Sequence, residues 1–307
     1  MTQIIRVVDY DVIFLSYDEP NAEENYTDLC SKIPWAKRVH GVEGSDAAHK
    51  ACAELSETDR FITVDADNII DLNFIEQEIE FKDGTDTSKV VISWCGKNKI
   101  NGLVYGNGGL KLWPKEYVRN MRTHENADPS NPNAQVDFCW DAHYIQMNTI
   151  FSDVMNNATP HQAWRAGFRE GVKMALDQGI KPTLKELHSG YWHNLHRLWI
   201  WCMVGADVQN GLWAVLGARA GLYKTMCTDW NYHQVRDFQY LNDLWENEYA
   251  SIDESNLLNL CCEYTQELKI KCRAPVASPF DPEQSRFFKT VYQVPPRVKT
   301  QPFLITK

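Results

Sequence analysis

The chain has 307 residues, 44% of them hydrophobic, which allows one large α/β domain or two smaller ones and excludes wholesale disorder. A net charge of −10 argues against a protein that coats nucleic acid non-specifically, and nine scattered cysteines read as reduced thiols rather than a disulfide framework. No signal peptide opens the sequence, and the most apolar run, residues 198–204, is far below the ~20 residues of a membrane span, so a cytoplasmic protein without membrane contact is expected.

The first buried strand is expected at 11–16, followed by the polar loop Tyr17-Asp18-Glu19-Pro20-Asn21. A short helix over 22–30 stops before Pro34, and a second short strand covers 38–41. Residues 46–55 read as a helix whose alanines permit close packing, and 61–64 as a strand. Another buried strand spans 90–94. The Gly-rich stretch 102–109 then suits tight turns or close backbone approach to a ligand. Residues 115–121 are expected to be helical and 136–141 extended. Thr159-Pro160 starts a helix with a hydroxyl cap and a proline in the first turn, and Gly179 stops it. Helices are expected at 187–203, at 207–220 and over most of 238–268, with a Pro-punctuated tail wrapping the surface after Ala274. Strands alternating with helices imply an α/β fold with a mainly parallel sheet flanked by helices, and the later part is a helical C-terminal extension. The expected division is a nucleotide-binding catalytic domain over 1–235 and a helical extension with a basic tail over 236–307.

Asp65-Ala66-Asp67 closes the apolar run 60–64, so two carboxylates stand where a buried strand reaches the rim of its sheet. Ligands of open α/β sheets gather at the carboxyl ends of strands, and hard oxygen ligands there suit Mg²⁺ or Mn²⁺ carrying a substrate phosphate. A helix cap with a solvated turn is the plain alternative. A calcium loop is disfavoured by Ile69 and Ile70, which stand where it needs glycine and oxygen ligands, and Asn68-Ile69 fits an aspartyl phosphatase poorly. Tyr17 suits stacking on a nucleobase, and Asp18 suits a base N–H or a ribose hydroxyl.

The ordered blocks 14–19, 44–50 and 61–68 resemble those of GT-A glycosyltransferases, over roughly residues 10–175. The overall pattern is similar to glycosyltransferase-like proteins of tailed bacteriophages that decorate hydroxylated or hydroxymethylated cytosine in their own DNA, arabinosyltransferases among them. It does not resemble the two-domain GT-B type, since two successive Rossmann halves are missing. The resemblance implies a UDP-sugar donor, a Mn²⁺ or Mg²⁺ cofactor held through Asp65 and Asp67, and a DNA acceptor; a polysaccharide or protein acceptor, and a non-catalytic nucleotide- or DNA-binding module, are the alternatives. It places Asp65 at the ribose or donor sugar, Ser16, Tyr17 and Asp18 at the base, Asp46 and Lys50 along the nucleotide pocket, and Gly108 and Gly109 near the donor sugar and acceptor.

The sequence departs from the usual inverting pattern, with no clear Glu-Asp pair at the start of the helix after the glycine loop. His161 is a base or ligand candidate, with a structural first-turn role as the alternative, and Asp137 and Asp141 are the nearest carboxylates. A retaining mechanism therefore stays open. Arg165 and Arg169 share a helix face, where they either grip a phosphate or pair with acids. His188, His193, His196 and His233 are candidates for a third metal ligand, although the tryptophans around them suit an aromatic core. From Lys269 to Lys307 eight Lys and Arg face two Asp and Glu, a net of +6 against −16 for the remainder. Within this tail, residues 286–292 interleave cations with aromatics, which suits either nucleic-acid contact or docking of the tail onto the body.

Overall fold

A computed structural model describes residues 3–106, 109–122, 126–128, 130–132 and 144–294. The expected extended segment 136–141 lies outside them. The N-terminal half opens with β1 (Gln3–Arg6), β2 (Asp11–Ser16), α1 (Ala22–Lys32), β3 (Lys37–His40), α2 (Ser45–Leu55) and β4 (Arg60–Asp65). It continues with β5 (Asn68–Ile70), β6 (Glu78–Phe81), β7 (Val91–Asn98), β8 (Val104–Tyr105), β9 (Leu110–Pro114), α3 (Lys115–Asn120) and β10 (Tyr144–Val154).

β2 to β4 and their helices lie close to where the side-chain pattern puts them. The main sheet runs β3-β2-β4-β9-β7-β10-β5, with β8 beside β7, while β1 and β6 form a separate ribbon. The α/β class is as expected. The sheet is mixed where a mainly parallel one was expected: β3, β2 and β4 are parallel, as are β7 and β10, but β9 runs antiparallel between β4 and β7. β9 escapes a reading by pattern because Leu110-Lys111-Leu112-Trp113-Pro114 is short, carries a lysine and ends in proline.

Alternation along the strands sends side chains to two cores. Val12, Phe14, Ile62, Val64 and Leu112 pack with Leu29 of α1 on one face. Ile13, Phe61 and Trp113 pack with Cys52 and Ala53 of α2 on the other. Since Phe61, Thr63 and Asp65 alternate with the first set, Asp65 belongs to the α2 face.

The C-terminal half is helical: α4 (Pro160–Ala175), a single turn at Leu184–Leu187, α5 (Trp192–Trp201), α6 (Gly211–Cys227), α7 (Phe238–Glu248), α8 (Leu257–Cys272) and α9 (Pro282–Val291). The expected helix over 187–203 is divided between the Leu184–Leu187 turn and α5. The surface tail contains α9, started by an Asp281 capping box with proline in the first turn. These helices share one aromatic core with Trp164, Phe168, Trp201, Trp213 and Trp245. α4 and α6 meet backbone to backbone. A Cβ at Gly167 or Gly171 would strike the carbonyls of Ala214 or Ala218, and one at Gly217 or Gly221 would strike those of Trp164 or Phe168.

No described helix is long and apolar enough to cross a membrane. The described cysteines are free thiols.

Candidate functional site

β4 is pinned between β2 and β9, so its end is fixed in space. The Asp65 N–H donates to the Gly109 carbonyl at 3.1 Å, continuing the β4–β9 ladder one residue before the start of β9. A Cβ at Gly109 would overlap the Asp65 side chain, so only glycine lets the two strands close here. Asn68 ties the acidic turn to that glycine: its Nδ2 donates to Asp67 Oδ1 at 2.7 Å and its Oδ1 accepts from the Gly109 N–H at 3.3 Å. Asn25 Nδ2 donates to the Ala66 carbonyl at 2.8 Å, and the Met155 N–H donates to the Asp67 carbonyl at 2.6 Å. Three separate elements therefore hold the Asp-Ala-Asp turn.

Its electrostatics are one-sided. Burial, with Asp65 and Glu19 adding repulsion, pushes the Asp67 carboxyl up to about 7. Burial also raises Glu19, whose Oε2 accepts from the Tyr17 N–H at 2.7 Å. Among the described residues, neither Asp65 nor Asp67 has a salt-bridge partner. Nor does any group of three His, Cys, Asp or Glu side chains form a metal cage on its own. A half-buried pair of uncompensated carboxylates fits a divalent cation that takes its remaining oxygens from substrate and water, as Mg²⁺ characteristically does. Asp65 and Asp67 are the residues that would hold it. Glu19, quoted in a sequence block but given no role there, belongs to the same acidic cluster.

On the α2 face a buried polar row runs beside Asp65. Lys111 of β9 stands in register with Thr63 of β4 and Ser93 of β7, and all three are buried. His49 of α2 feels both Asp65 and Lys111. Burial lowers its pKa, while its Nδ1 meets the Ser45 carbonyl at 2.8 Å. Asp46 is buried too and accepts from Asn126 Nδ2 at 2.6 Å. His49 stands in the block 44–50 already singled out, whereas Lys111 was missed from sequence because its signal is the β4–β9 register, which no local pattern carries.

The remaining expected residues fall in several places. Tyr17 and Asp18 are exposed at the mouth of the acidic cluster. Ser16 is buried, and its hydroxyl accepts from Arg38 Nε at 3.0 Å and meets His40 Nδ1 at 2.9 Å. Lys50 is half-buried on α2. His161 stacks on Trp245 at 5.1 Å, and burial, then Arg165, lower its pKa against the opposing charge of Asp18. Arg165 and Arg169 both lie over the Phe238 ring, at 5.0 and 4.8 Å. Gly108, Asp137 and Asp141 lie outside the described residues.

The histidine set does not converge on Asp67. His188 Nε2 meets the Cys272 carbonyl at 2.8 Å, His193 stacks on Trp192 at 4.0 Å, His196 stacks on Tyr292 at 5.7 Å, and His233 packs against Tyr232. In the tail, Phe288 and Tyr292 dock α9 onto the body, and Lys289 forms a half-buried 2.7 Å ion pair with Asp207. Arg286 and Phe287 stay exposed.

No protein-family model and no curated protein matches the chain. Among solved structures it is similar to a glycosyltransferase involved in the glycosylation of the major capsid of PBCV-1, with 14% identity over 50% of this chain and 98% of that one, at a TM-score of 0.30.

Proposed function

We propose that this chain transfers a glycosyl group from a nucleoside-diphosphate sugar, a UDP-sugar by the resemblance, to an acceptor hydroxyl. The observation that carries the reading is the uncompensated Asp65–Asp67 pair at the carboxyl end of β4, with Glu19 beside it. In this reading Asp65 and Asp67 hold Mn²⁺ or Mg²⁺, which when bound supplies positive charge to the diphosphate leaving group. Tyr17 and Asp18 lie on the exposed loop where a base and ribose would enter. Gly109 packs directly on the Asp65 side chain, and Lys111 and His49 lie buried on the same α2 face. Burial and then Arg165 lower the pKa of His161 against Asp18, a direction that favours the imidazole form a general base uses.

For the acceptor, the reading is a hydroxylated or hydroxymethylated cytosine of phage DNA, with arabinose among the sugars the resemblance implies. Exposed Arg286 and Phe287 on α9 support it as a cation and a stacking face. A polysaccharide or protein acceptor is the second reading. It is favoured by the Lys289–Asp207 pair, which withdraws one tail cation from any phosphate.

The test combines a panel of UDP-sugars, Mn²⁺ and DNA containing hydroxymethylcytosine, read by mass spectrometry of the released nucleosides. The expected result is a mass increment of one sugar on the modified cytosine, lost at least ~100-fold in Asp67→Ala. Donor hydrolysis without any nucleoside shift would favour the second acceptor. Full activity of Asp67→Ala would reject the carboxylate role.

A further inference from the structure

At the start of α5 two adjacent large rings, Tyr191 and Trp192, are 58% and 54% exposed. They open a row. His193 stacks on Trp192 at 4.0 Å and meets Tyr191 at 5.1 Å, His196 lies 5.8 Å from Trp192, and Tyr292 beyond α9 stacks on His196 at 5.7 Å. His196 Nε2 also meets Tyr292 Oη at 3.3 Å, which ties α5 to α9. The inner rings are half-buried, so the row is held at one end and offered to solvent at the other. A contiguous exposed aromatic surface marks an interaction face.

Cations border the row. Arg197 lies over the Tyr105 ring at 4.8 Å. Burial and then Arg197 lower the His196 pKa, and at Tyr292 burial raises the pKa while Arg197 opposes it, so one guanidinium is the charge that both rings feel. Lys99, on the turn between β7 and β8, and Arg286 of α9 are exposed. Lys289 joins those two elements by donating to the Ile100 carbonyl at 3.1 Å. The acids of α9, Asp281 and Glu283, stand at the opposite end of the helix from Tyr292. In a chain of net charge −10, exposed rings bordered by cations select an anion with flat faces. A neutral glycan would use the rings and leave the cations idle, and a duplex hides its base faces inside the stack.

We infer that this strip holds an unpaired strand of the acceptor nucleic acid, with bases stacked on Tyr191 and Trp192 and phosphates beside Arg197, Lys99 and Arg286. Its role rests on the DNA-acceptor reading, which it narrows: the modified base is presented from a single strand, not from an intact duplex. The sheet sets the strip close to the acidic turn. Tyr105, under Arg197, is fixed by its hydroxyl, which donates to Glu170 Oε2 at 2.6 Å and accepts from Trp201 Nε1 at 3.0 Å. It stands in register with Gly96 of β7, Gly96 with Ser152 of β10, and Ser152 with Ile70 of β5. Those strand spacings put Tyr105 about 14 Å from Ile70, which follows Asp67 closely in sequence. Along the chain, Tyr105 lies at most ~15 Å from Gly109, the residue packed on Asp65. A base on the strip and a base at the turn can therefore belong to one short stretch of strand.

The test measures fluorescence anisotropy of a labelled mixed-sequence oligonucleotide, alone and annealed to its complement, and of a labelled neutral oligosaccharide, each titrated with the full chain. The single strand is expected to bind at least tenfold more tightly than the duplex or the oligosaccharide. Trp192→Ala is expected to weaken it about tenfold, and Trp192→Phe, which keeps a ring, by about threefold at most. Lys99→Ser with Arg286→Ser should lower the slope of log affinity against log salt by about 1.4. These positions are on the surface, so circular dichroism and UDP titrations should match the unmodified protein. Equal or tighter binding of the duplex, a preference for the oligosaccharide, or single-strand binding that Trp192→Ala leaves unchanged would overturn the inference. UDP binding with no single-strand binding would reject the strip and leave the donor site standing. Single-strand binding through Trp192 with no UDP binding would keep the strip and remove its role in glycosyl transfer, which separates the two failures.

Discussion

Asp67 sits in the fold with a carboxyl raised from an ordinary acidic value to about 7. Between roughly pH 4 and pH 7 the fold keeps a proton that the unfolded chain releases, so this residue costs stability progressively as the pH rises through that window. Without divalent cation, Asp67→Asn is therefore expected to stabilise the protein at pH 8, by on the order of 2 kcal/mol, and to change little at pH 4. Thermal melts at the two pH values check this, and an equal effect at both would contradict it. His49 has the opposite sign. Burial lowers its pKa against the attraction of Asp65 and Asp46 and with the help of Lys111. Below about pH 6.5 the unfolded chain takes up a proton that the fold refuses, and stability falls. His49→Gln should flatten that acid limb in pH-dependent urea melts, whereas an unchanged slope would assign it to other histidines. At this scale the sequence displayed Asp65 and Asp67, because an apolar run ending in acids announces a strand end. It hid Lys111, Glu19 and Gly109's contact with Asp65, since those depend on which strand lies beside β4.

The helices that position His161 depend on four glycines. Gly167 and Gly171 on α4 interlock with Gly217 and Gly221 on α6, each seated on a carbonyl of the facing helix. Gly217→Leu would force the helices apart, at an expected cost of roughly 3 kcal/mol measured by urea denaturation. It should also shift the fluorescence of Trp164 and Trp245, which pack between α4 and α7. A near-neutral substitution would mean the interface yields more easily than its backbone contacts imply. The helix starts were legible: Thr159 caps α4 through the Gln162 N–H at 3.1 Å, as the Thr-Pro signal indicated. The antiparallel β9 and the long, half-polar β10 were not, because their side chains carry no clean alternation and only pairing makes them strands.

Two cations, Arg219 buried and Lys289 half-buried, bind the C-terminal segments to the rest of the molecule. Arg219 is fully buried. It donates to the carbonyls of Cys202, Cys261 and Ala277 at 2.8, 2.6 and 2.7 Å, and to Thr265 Oγ1, so α6, α8 and the irregular segment before α9 meet on one side chain. Lys289 does the same for α9, pairing with Asp207 and donating to the Ile100 carbonyl at 3.1 Å. Lys289→Met leaves Asp207 buried without its partner and is expected to loosen α9. Limited proteolysis should then cut near residue 280 at least tenfold faster, while cleavage at the unmodified rate would show that Phe288 and Tyr292 dock the helix unaided. Composition showed a basic tail that suited either nucleic-acid contact or docking onto the body, and only the fold reveals that Asp207, distant in sequence, neutralises part of it. The claim on which the whole reading depends is that Asp65 and Asp67 join a cation to a nucleoside diphosphate. Isothermal titration of UDP with and without Mn²⁺, in the unmodified protein and in Asp67→Asn, tests it most directly. The account predicts UDP binding that requires Mn²⁺ and is weakened at least ~100-fold by the substitution in a protein that remains folded. Equal UDP affinity in Asp67→Asn, or binding indifferent to Mn²⁺, would contradict it.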